Sequence, residues 1–483
     1  MRATQCPRFA TIGTTFDAMM HRDDLCHSSP TLSLKERQCG ERAARREALP
    51  WAIMSGVTEP FMIPYALALG ASNFQAGLLS SVRNLILSVV QLKSGDAAGW
   101  VGSRKRLVEW TARAQALLWL PLAVVWALFG GRALIALIAL YTMSTTSVAF
   151  AAPAWGSLVN DYLAPEERGR FFSHRNRLIG GGAAIAGLAA GGLLHLVGST
   201  PLVGFGLLCV IAAISRFVSC RLLRQFPEGP WHEPPHERVS FWRFVRRIRT
   251  HMLTRFAFCL GAMSFSVCLS SPFWSVYLLK ELHYGYLVYT VVTLAGSAVA
   301  FLTVRRWGKV ADRFGNWIVL RWTMLGATVL PLLWPCSRHP AWQLGVNCLG
   351  GFVWGGLNLA MVNFVYDAAS PSQRTRFLGY FNVVNGLGVS LGALAGGWLL
   401  GRLPTVRGSA FAALFYMSGI CRLAAALAFP RVVREVRSVG QAGLRSVIYD
   451  LVGERVVNIL GSLAPKPEQE PGTRGGPEGQ PEH

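Results

Sequence analysis

Two ionisable residues, Glu59 and Arg83, lie in the middle of successive apolar runs at 51–70 and 74–92. An ionisable side chain in such a run is costly to bury and is by default a functional candidate. Because only a short turn joins the runs, helices formed by them would be antiparallel and would hold both side chains at similar depth. A buried carboxylate–guanidinium pair can exchange protons, bind an ionic ligand or serve as a structural ion pair, and the sequence leaves all three roles open. Glu59 is the better candidate for proton exchange.

The elements that hold these residues are predicted to be membrane-spanning helices. Hydrophobic residues make up 52% of the chain and charged residues only 15%, whereas a soluble protein carries about 25% charged residues. Apolar runs of about 20 residues separate the charges, which is the length that a helix needs to cross a hydrocarbon core of about 30 Å. A helix satisfies every backbone group within one such run. We therefore predict an all-α membrane protein with twelve transmembrane helices, at 51–70, 74–92, 107–130, 133–159, 178–198, 201–222, 255–279, 285–304, 317–336, 341–366, 378–400 and 409–429.

The basic residues indicate how the chain is oriented. The net charge is +22, and most of the 47 Lys and Arg residues fall on one side when the connections are assigned to alternate sides of the membrane. Cytoplasmic loops carry such an excess. We therefore expect both termini in the cytoplasm and the protein in the plasma (inner) membrane, and we interpret the charge as an orientation signal rather than a nucleic-acid footprint. The opposite side carries Arg132, Lys280, Arg338, Arg402 and Arg407.

Other residues inside the spans have simpler predicted roles. Pro60 and Pro64 follow Glu59 and predict a kink in the first span, because proline cannot donate a backbone hydrogen bond. Five arginines lie near the cytoplasmic ends of spans, where a long side chain can reach the interface, so we expect them to snorkel. These are Arg113, Arg216, Arg255, Arg321 and Arg422.

The charged and Pro-rich segments outside the spans divide the chain into five regions. They are a cytoplasmic tail at 1–49, a six-helix bundle at 50–222, a cytoplasmic linker at 223–250, a second six-helix bundle at 251–430, and a C-terminal segment at 431–483. Two stretches outside the spans are amphipathic, 241–249 and 432–460, and each is typical of a helix lying in the headgroup plane. A regulatory or partner-binding role is the alternative for either. The composition from Pro465 onward predicts disorder.

No pattern in the sequence indicates an enzyme. The ten cysteines form no C-x-x-C pair, which would be the commonest sign of a metal or redox site. No H-E-x-x-H, nucleophile–base set or Walker loop is present. We therefore expect no metal, no cofactor and no catalytic residues.

An internal repeat relates the two bundles. Residues 159–194 and 365–400 align without a gap, and each copy runs from the end of a span through a short basic loop into a glycine-rich span. Since the offset is near half of the span region, the second six spans repeat the first six as parallel, pseudo-symmetric halves. The glycines allow helices to pack and slide closely. The repeat loops supply the candidate residues Asp161, Arg168, Arg170, Asp367, Arg374 and Arg376.

The segment from Gly308 to Gly315 resembles the G-x-x-x-D-x-x-G loop of the major facilitator superfamily, which lies between its second and third and its eighth and ninth helices. A degraded copy runs from Gly95 to Gly102, with Gly99 at the position of the aspartate. The resemblance covers 51–430 and implies the two-bundle fold of that superfamily. The family uses this loop to latch the cytoplasmic ends of its halves, which implies a gating role for Gly308, Asp312, Arg313, Gly315, Gly95 and Gly102.

This resemblance implies a secondary transporter that moves a small organic solute by alternating access, with protons as the candidate coupling ion. The alternative is a receptor or assembly factor that uses the same scaffold without transport. The expected partners are the solute, protons and the lipid bilayer, and the expected state is a monomer. Aromatic side chains and amides suited to an organic solute are candidates to line the cavity: Trp274, Tyr277, Trp354, Asn358, Asn382 and Asn385.

Overall fold

The computed structural model describes residues 32–91, 93–94, 97–198, 200–229, 241–249, 251–368 and 371–435. The predicted disorder after Pro465 and nearly all of the amphipathic stretch at 432–460 lie outside these residues. The stretch at 241–249 is helical, as a short α-helix Phe241–Arg246 followed by a 3₁₀ turn. Within the described residues no β-sheet is present, and the only β-bridge joins Val406 to Ser409.

Each of the twelve predicted spans coincides with a helix or a broken helix, which confirms the all-α fold class. The helices are α1 (Leu34–Thr58 and Met62–Ala68), α2 (Asn73–Gln91), α3 (Arg104–Ala123), α4 (Ala133–Tyr162), α5 (Pro165–Val197), α6 (Pro201–Leu223), α7 (Met252–Cys268 and Ser271–Val276), α8 (Tyr286–Phe314), α9 (Asn316–Leu333), α10 (Pro340–Ala368), α11 (Pro371–Leu400) and α12 (Ala410–Val432).

By length and composition alone, nine helical segments of the described chain are apolar enough to cross a membrane. The helices α1, α2 and α3 are not among them. Their sequences carry charged residues that lower the hydropathy, such as Glu59 in the turn of α1, Arg83 in α2 and Glu109 in α3. These three helices therefore carry several of the charged residues of the first half.

The first helix begins earlier than the sequence predicts. A capping box sets its start, because the Ser33 hydroxyl accepts from the Glu36 backbone N–H at 3.3 Å and the Glu36 carboxylate accepts from the Ser33 N–H at 2.8 Å. The Ser33 hydroxyl and, to a smaller extent, its backbone N–H donate to the Glu36 carboxylate and lower the pKa of Glu36. The segment predicted as a cytoplasmic tail at 1–49 is therefore helical over residues 34–49. As a consequence, Glu47 lies inside the bundle and is only 2% exposed.

The first helix of each half is broken. A 3₁₀ turn, Glu59–Phe61, separates the two parts of α1, which confirms the kink predicted from Pro60. The two parts of α7 meet just before Pro272, and α7 ends in a π-helical turn, Tyr277–Glu281. Proline removes a donor from the helical ladder, so each break leaves backbone carbonyls free to bond elsewhere.

The two halves pack against each other through α2 with α11 and through α5 with α8. Glycines of α5 and α11 lie at these contacts and bring the helices close together. A Cβ atom on Gly187 of α5 would lie 3.1 Å from Leu294 of α8, and one on Gly397 of α11 would lie 3.1 Å from the Phe74 Cα of α2. The close packing predicted from the glycine runs is therefore present where the halves meet.

Candidate functional site

The structure brings Glu59 and Arg83 near each other in the first half. They interact electrostatically, but none of the described ion pairs joins them. Glu59 begins the 3₁₀ turn of α1 and is exposed, whereas Arg83 of α2 is half-buried. The Arg83 guanidinium carbon lies 5.4 Å from the centre of the Tyr141 ring of α4, and its Nε has no hydrogen-bond partner. The carboxylate is thus accessible and pairs with no described residue, and a cation lies close by.

Tyr141 and Trp119 were missed by the sequence reasoning. Both are buried, their ring centres are 6.3 Å apart, and the Trp119 Nε1 has no hydrogen-bond partner. The Tyr141 ring, which packs on Trp119, contacts the Arg83 guanidinium. No signal in the sequence separates such a supporting aromatic residue from ordinary packing.

Three described hydrogen bonds connect the two halves: two lie in the part of the bundle opposite to the termini, and one lies near the middle of α2 and α11. The Lys280 Nζ donates to the Ala71 carbonyl at 2.7 Å, between the loops that follow α1 and α7. The other two bonds lie one to three turns deeper. The Tyr289 hydroxyl donates to the Pro60 carbonyl at 2.8 Å, and the Ser81 hydroxyl donates to the Ser390 carbonyl at 2.6 Å. We call these six residues the gate contacts.

A charged cluster ties the helices of the first half together at the terminal end of the bundle. Asp161 of α4 forms an ion pair with Arg104 of α3 at 2.7 Å. Glu228, which follows α6, accepts from the Arg104 backbone N–H at 2.7 Å and so caps the start of α3. A carboxylate is favourable there because it faces the positive end of the helix dipole. Of the other repeat-loop residues, Arg168 donates to the Asn160 carbonyl at 3.3 Å, and Arg170 is exposed.

The second half repeats this arrangement with different partners. Asp367 accepts from the Asn316 side-chain amide at 2.6 Å, and Glu435 accepts from the Trp317 backbone N–H at 3.0 Å at the start of α9. The structure thus gives the repeat aspartates Asp161 and Asp367 equivalent places. The capping residues Glu228 and Glu435 were missed, although each follows the last helix of its half. The side chains of the candidates Arg374 and Arg376 lie outside the described residues.

The predicted gating loop has the expected turn, and Asp312 forms no latch with the described residues. α8 ends at Phe314, and Gly315 follows with a φ of +87°, a backbone conformation that favours glycine. Asp312 is exposed and has no hydrogen bond or ion pair to the described residues. A Cβ atom on Gly308 would lie 3.9 Å from the Leu359 side chain, and Arg313 stacks over Phe314. Gly102 adopts a φ of +70°, while Gly95 lies outside the described residues.

Three of the predicted cavity-lining residues have described side-chain partners. The Trp274 ring lies 6.0 Å from Trp334, and the Tyr277 ring lies 5.4 Å from Phe415, so both are packed among aromatic side chains. Asn385 accepts from the Ser264 hydroxyl. The remaining candidates are more open and stay predictions: Trp354 is half-buried, and Asn358 and Asn382 are exposed.

Two arginines expected to snorkel are instead buried. Arg422 is 1% exposed near the middle of α12, and it donates to the Ala327 carbonyl at 3.0 Å and the Ser270 hydroxyl at 2.9 Å. Arg216 is 5% exposed in α6. The snorkelling expectation is wrong for both, because polar partners from neighbouring helices satisfy these guanidinium groups inside the bundle.

Arg216 belongs to a second polar cluster that the sequence reasoning missed. The Glu47 carboxylate of α1 accepts from Arg175 of α5 at 2.7 Å and from Arg216 at 3.4 Å. The Ser219 hydroxyl of α6 donates to the same carboxylate at 2.8 Å. The guanidinium carbon of Arg175 lies 4.2 Å from the centre of the Trp155 ring. The early start of α1, indicated by its capping box, was the available signal that Glu47 is helical.

Comparison with known proteins identifies related sequences. A family model described as the Major Facilitator Superfamily matches residues 51–355 and 256–465. Over 125 residues the chain is 28% identical to the efflux pump azaK of Aspergillus niger, which covers 24% of this chain and 26% of that protein. Over 108 residues it is 32% identical to the class B tetracycline resistance protein of Escherichia coli, covering 22% and 27%. The chain spans about a quarter of the length of these curated relatives.

Solved structures match over nearly their whole length. The nucleoside transporter NupG has a TM-score of 0.65 at 13% identity, covering 81% of this chain and 98% of that one. A bacterial homologue of the iron transporter ferroportin, in its inward-facing state, has a TM-score of 0.63 at 16% identity, covering 81% and 98%. A D-xylose–proton symporter has a TM-score of 0.60 at 12% identity, covering 83% and 98%. At these identities the likeness concerns the fold.

Proposed function

We propose that this chain, a membrane transporter that belongs to the Major Facilitator Superfamily, moves a small organic solute across the membrane by alternating access. The observation that carries the proposal is the position of the gate contacts. The described hydrogen bonds between the halves lie in the middle of the bundle or on the side away from the termini, whereas the described ion pairs near the termini join helices within one half. Such one-sided closure is what one end state of a rocking cycle requires.

The gate contacts are weak enough to open. A neutral hydrogen bond contributes about 0.5–1.5 kcal/mol net and one to a charged group about 1.5–3 kcal/mol, so the two neutral bonds and the Lys280 bond together hold the gate by about 2.5–6 kcal/mol. A solute that binds the alternative state more tightly by a similar free energy would bring the two states to similar populations, and a larger difference would reverse the equilibrium. The glycine contacts between α5 and α8 and between α2 and α11 let the halves approach closely at the same surfaces.

The position of Glu59 supports proton coupling. Glu59 precedes Pro60, whose carbonyl accepts from Tyr289 across the gate. Opening the gate breaks that bond and frees the 3₁₀ turn that carries Glu59, so the distance from its carboxylate to Arg83 changes with the cycle. A nearby guanidinium favours the ionised carboxylate, and an apolar environment favours the protonated form. We therefore assign Glu59 as the proton-exchanging residue and Arg83 as its partner.

The test begins with the purified protein and a panel of metabolites and drugs, screened for ligand-dependent thermal stabilisation. A compound that stabilises the protein is then offered to liposomes containing it, and exchange of labelled for unlabelled compound is measured. Exchange that saturates and requires the protein supports transport by alternating access. Stabilising compounds that bind but are never exchanged would instead favour a receptor on this scaffold.

A further inference from the structure

A cavity of about 200 Å³ lies among α1, α3, α4, α5 and α6 of the first half. Its polar lining comes from the Glu47, Arg175 and Arg216 side chains of the second polar cluster. Its apolar lining consists of two indoles and small aliphatic side chains: Trp51, Trp155, Val108, Val148, Ala151, Ala152 and Leu223. A few charged groups set in a largely apolar wall are typical of a site for an organic ligand.

The cluster carries one positive charge that no described residue neutralises. Arg175 and Arg216 each form their ion pair with Glu47 alone, so two guanidinium groups share one carboxylate. The Nε atoms of both arginines are buried and have no hydrogen-bond partner in the described part of the chain. An uncompensated buried charge and unpaired buried donors are each costly. An anion in the cavity would remove both costs.

The position in the second half that corresponds to Arg175 carries no charge. At the repeat offset, Arg175 matches Phe381. Phe381 is buried, and its ring stacks on Phe256 at 6.0 Å. An apolar residue is therefore compatible with this position of the fold, which means that packing alone does not require the arginine.

We propose that this cavity binds a small monocarboxylate with an aromatic or branched apolar body, and the proposal rests on the transport function proposed above. A single surplus positive charge matches a monoanion better than a phosphate dianion. A planar carboxylate fits the guanidinium fork of Arg175 or Arg216, and the indoles of Trp51 and Trp155 supply flat apolar surfaces. The volume suits a body of about one ring, since an apolar cavity of about 150 Å³ holds benzene.

The experiment measures equilibrium binding to the full-length protein in nanodiscs, by calorimetry and by the fluorescence of the cavity tryptophans. The probes are benzoate, its neutral analogue benzamide, and oleate as a carboxylate that partitions into the membrane. We expect benzoate to bind and benzamide to bind at least about tenfold more weakly, because only the anion makes charge-assisted hydrogen bonds. This comparison needs no substitution. Binding of oleate without benzoate would assign the same carboxylate site to a lipid acid rather than to an aqueous solute.

Two substitutions move the charge in opposite directions. Arg175→Gln removes the surplus charge and should weaken benzoate binding by about tenfold or more, whereas Glu47→Gln adds one and should strengthen it. Arg113→Gln is the matched control, because Arg113 pairs with Glu109 on α3 and does not line the cavity. The proposed site would be overturned if benzamide and benzoate bound with equal affinity. It would also be overturned if Arg175→Gln and Arg113→Gln had the same effect on the affinity for benzoate. Because no transport is measured, that outcome would leave the transport proposal standing.

Discussion

Adjacent glycines in α5 provide a direct test of the closed gate. A Cβ atom built on Gly191 would overlap the side chain of Thr290 of α8, at 2.6 Å from its Cβ. A Cβ atom on Gly192, the next residue, would meet nothing within 4 Å. Gly191→Ala therefore drives a methyl group between the two halves, and Gly192→Ala adds the same methyl group to open space.

The expected effect is the difference between these variants. Replacing glycine by alanine within a helix stabilises it by about 0.5–1 kcal/mol, and this gain is the same at both positions. The overlap at Gly191 adds a penalty of about 1–3 kcal/mol. Since Thr290 belongs to the other half, the penalty falls on the state in which the gate is closed. It should shift the ratio of closed to open gate by a factor of about 5 to 150.

The assay is the rate at which a membrane-impermeant maleimide labels a cysteine placed behind the gate. Ala393→Cys is suitable because Ala393 is fully buried in α11 near its contact with Gly77 of α2. In a background without native cysteines, Gly191→Ala should accelerate labelling and Gly192→Ala should not. Equal labelling rates and equal melting temperatures for the two variants would refute the idea that contact between α5 and α8 closes the gate.

The remaining predictions concern the charged residues and the topology. Glu59→Gln should abolish solute accumulation driven by a pH gradient while exchange at equal pH persists, and full accumulation would leave the Glu59–Arg83 pair a structural one. Asp161→Asn should lower the free energy of unfolding by about 1–3 kcal/mol in a thermal-unfolding assay, because it removes the ion pair to buried Arg104. The Asp312 side chain is exposed and pairs with no described residue, so Asp312→Asn should leave stability unchanged but slow transport. Unchanged turnover would mean that the Asp312 loop is a simple turn. A reporter that is active only in the cytoplasm should be silent when inserted at Arg338, and an active one would reverse the predicted orientation.

The sequence alone determined the architecture, because the signals that define it are local. Long apolar runs predict spans wherever lipid surrounds the chain, and the repeat around Asp161 and Asp367 predicts two equivalent halves. The proximity of Glu59 and Arg83 also followed from local information, since a short turn makes consecutive helices antiparallel. The orientation, the coupling role of this pair and the gating role of Asp312 remain predictions.

The tertiary structure decided which charges are paired. Glu47 meets Arg175 and Arg216 across separations of 128 and 169 residues, and no periodicity in the sequence encodes such a meeting. Hydropathy alone places Glu47 in the tail and predicts that Arg216 and Arg422 snorkel. The reason is that hydropathy compares the free energy of each side chain only between lipid and water. Inside a bundle, the relevant environment is instead the set of hydrogen-bond partners that neighbouring helices present. Only the packing of α1, α5 and α6 brings those partners together, and it leaves one buried positive charge that no described residue neutralises.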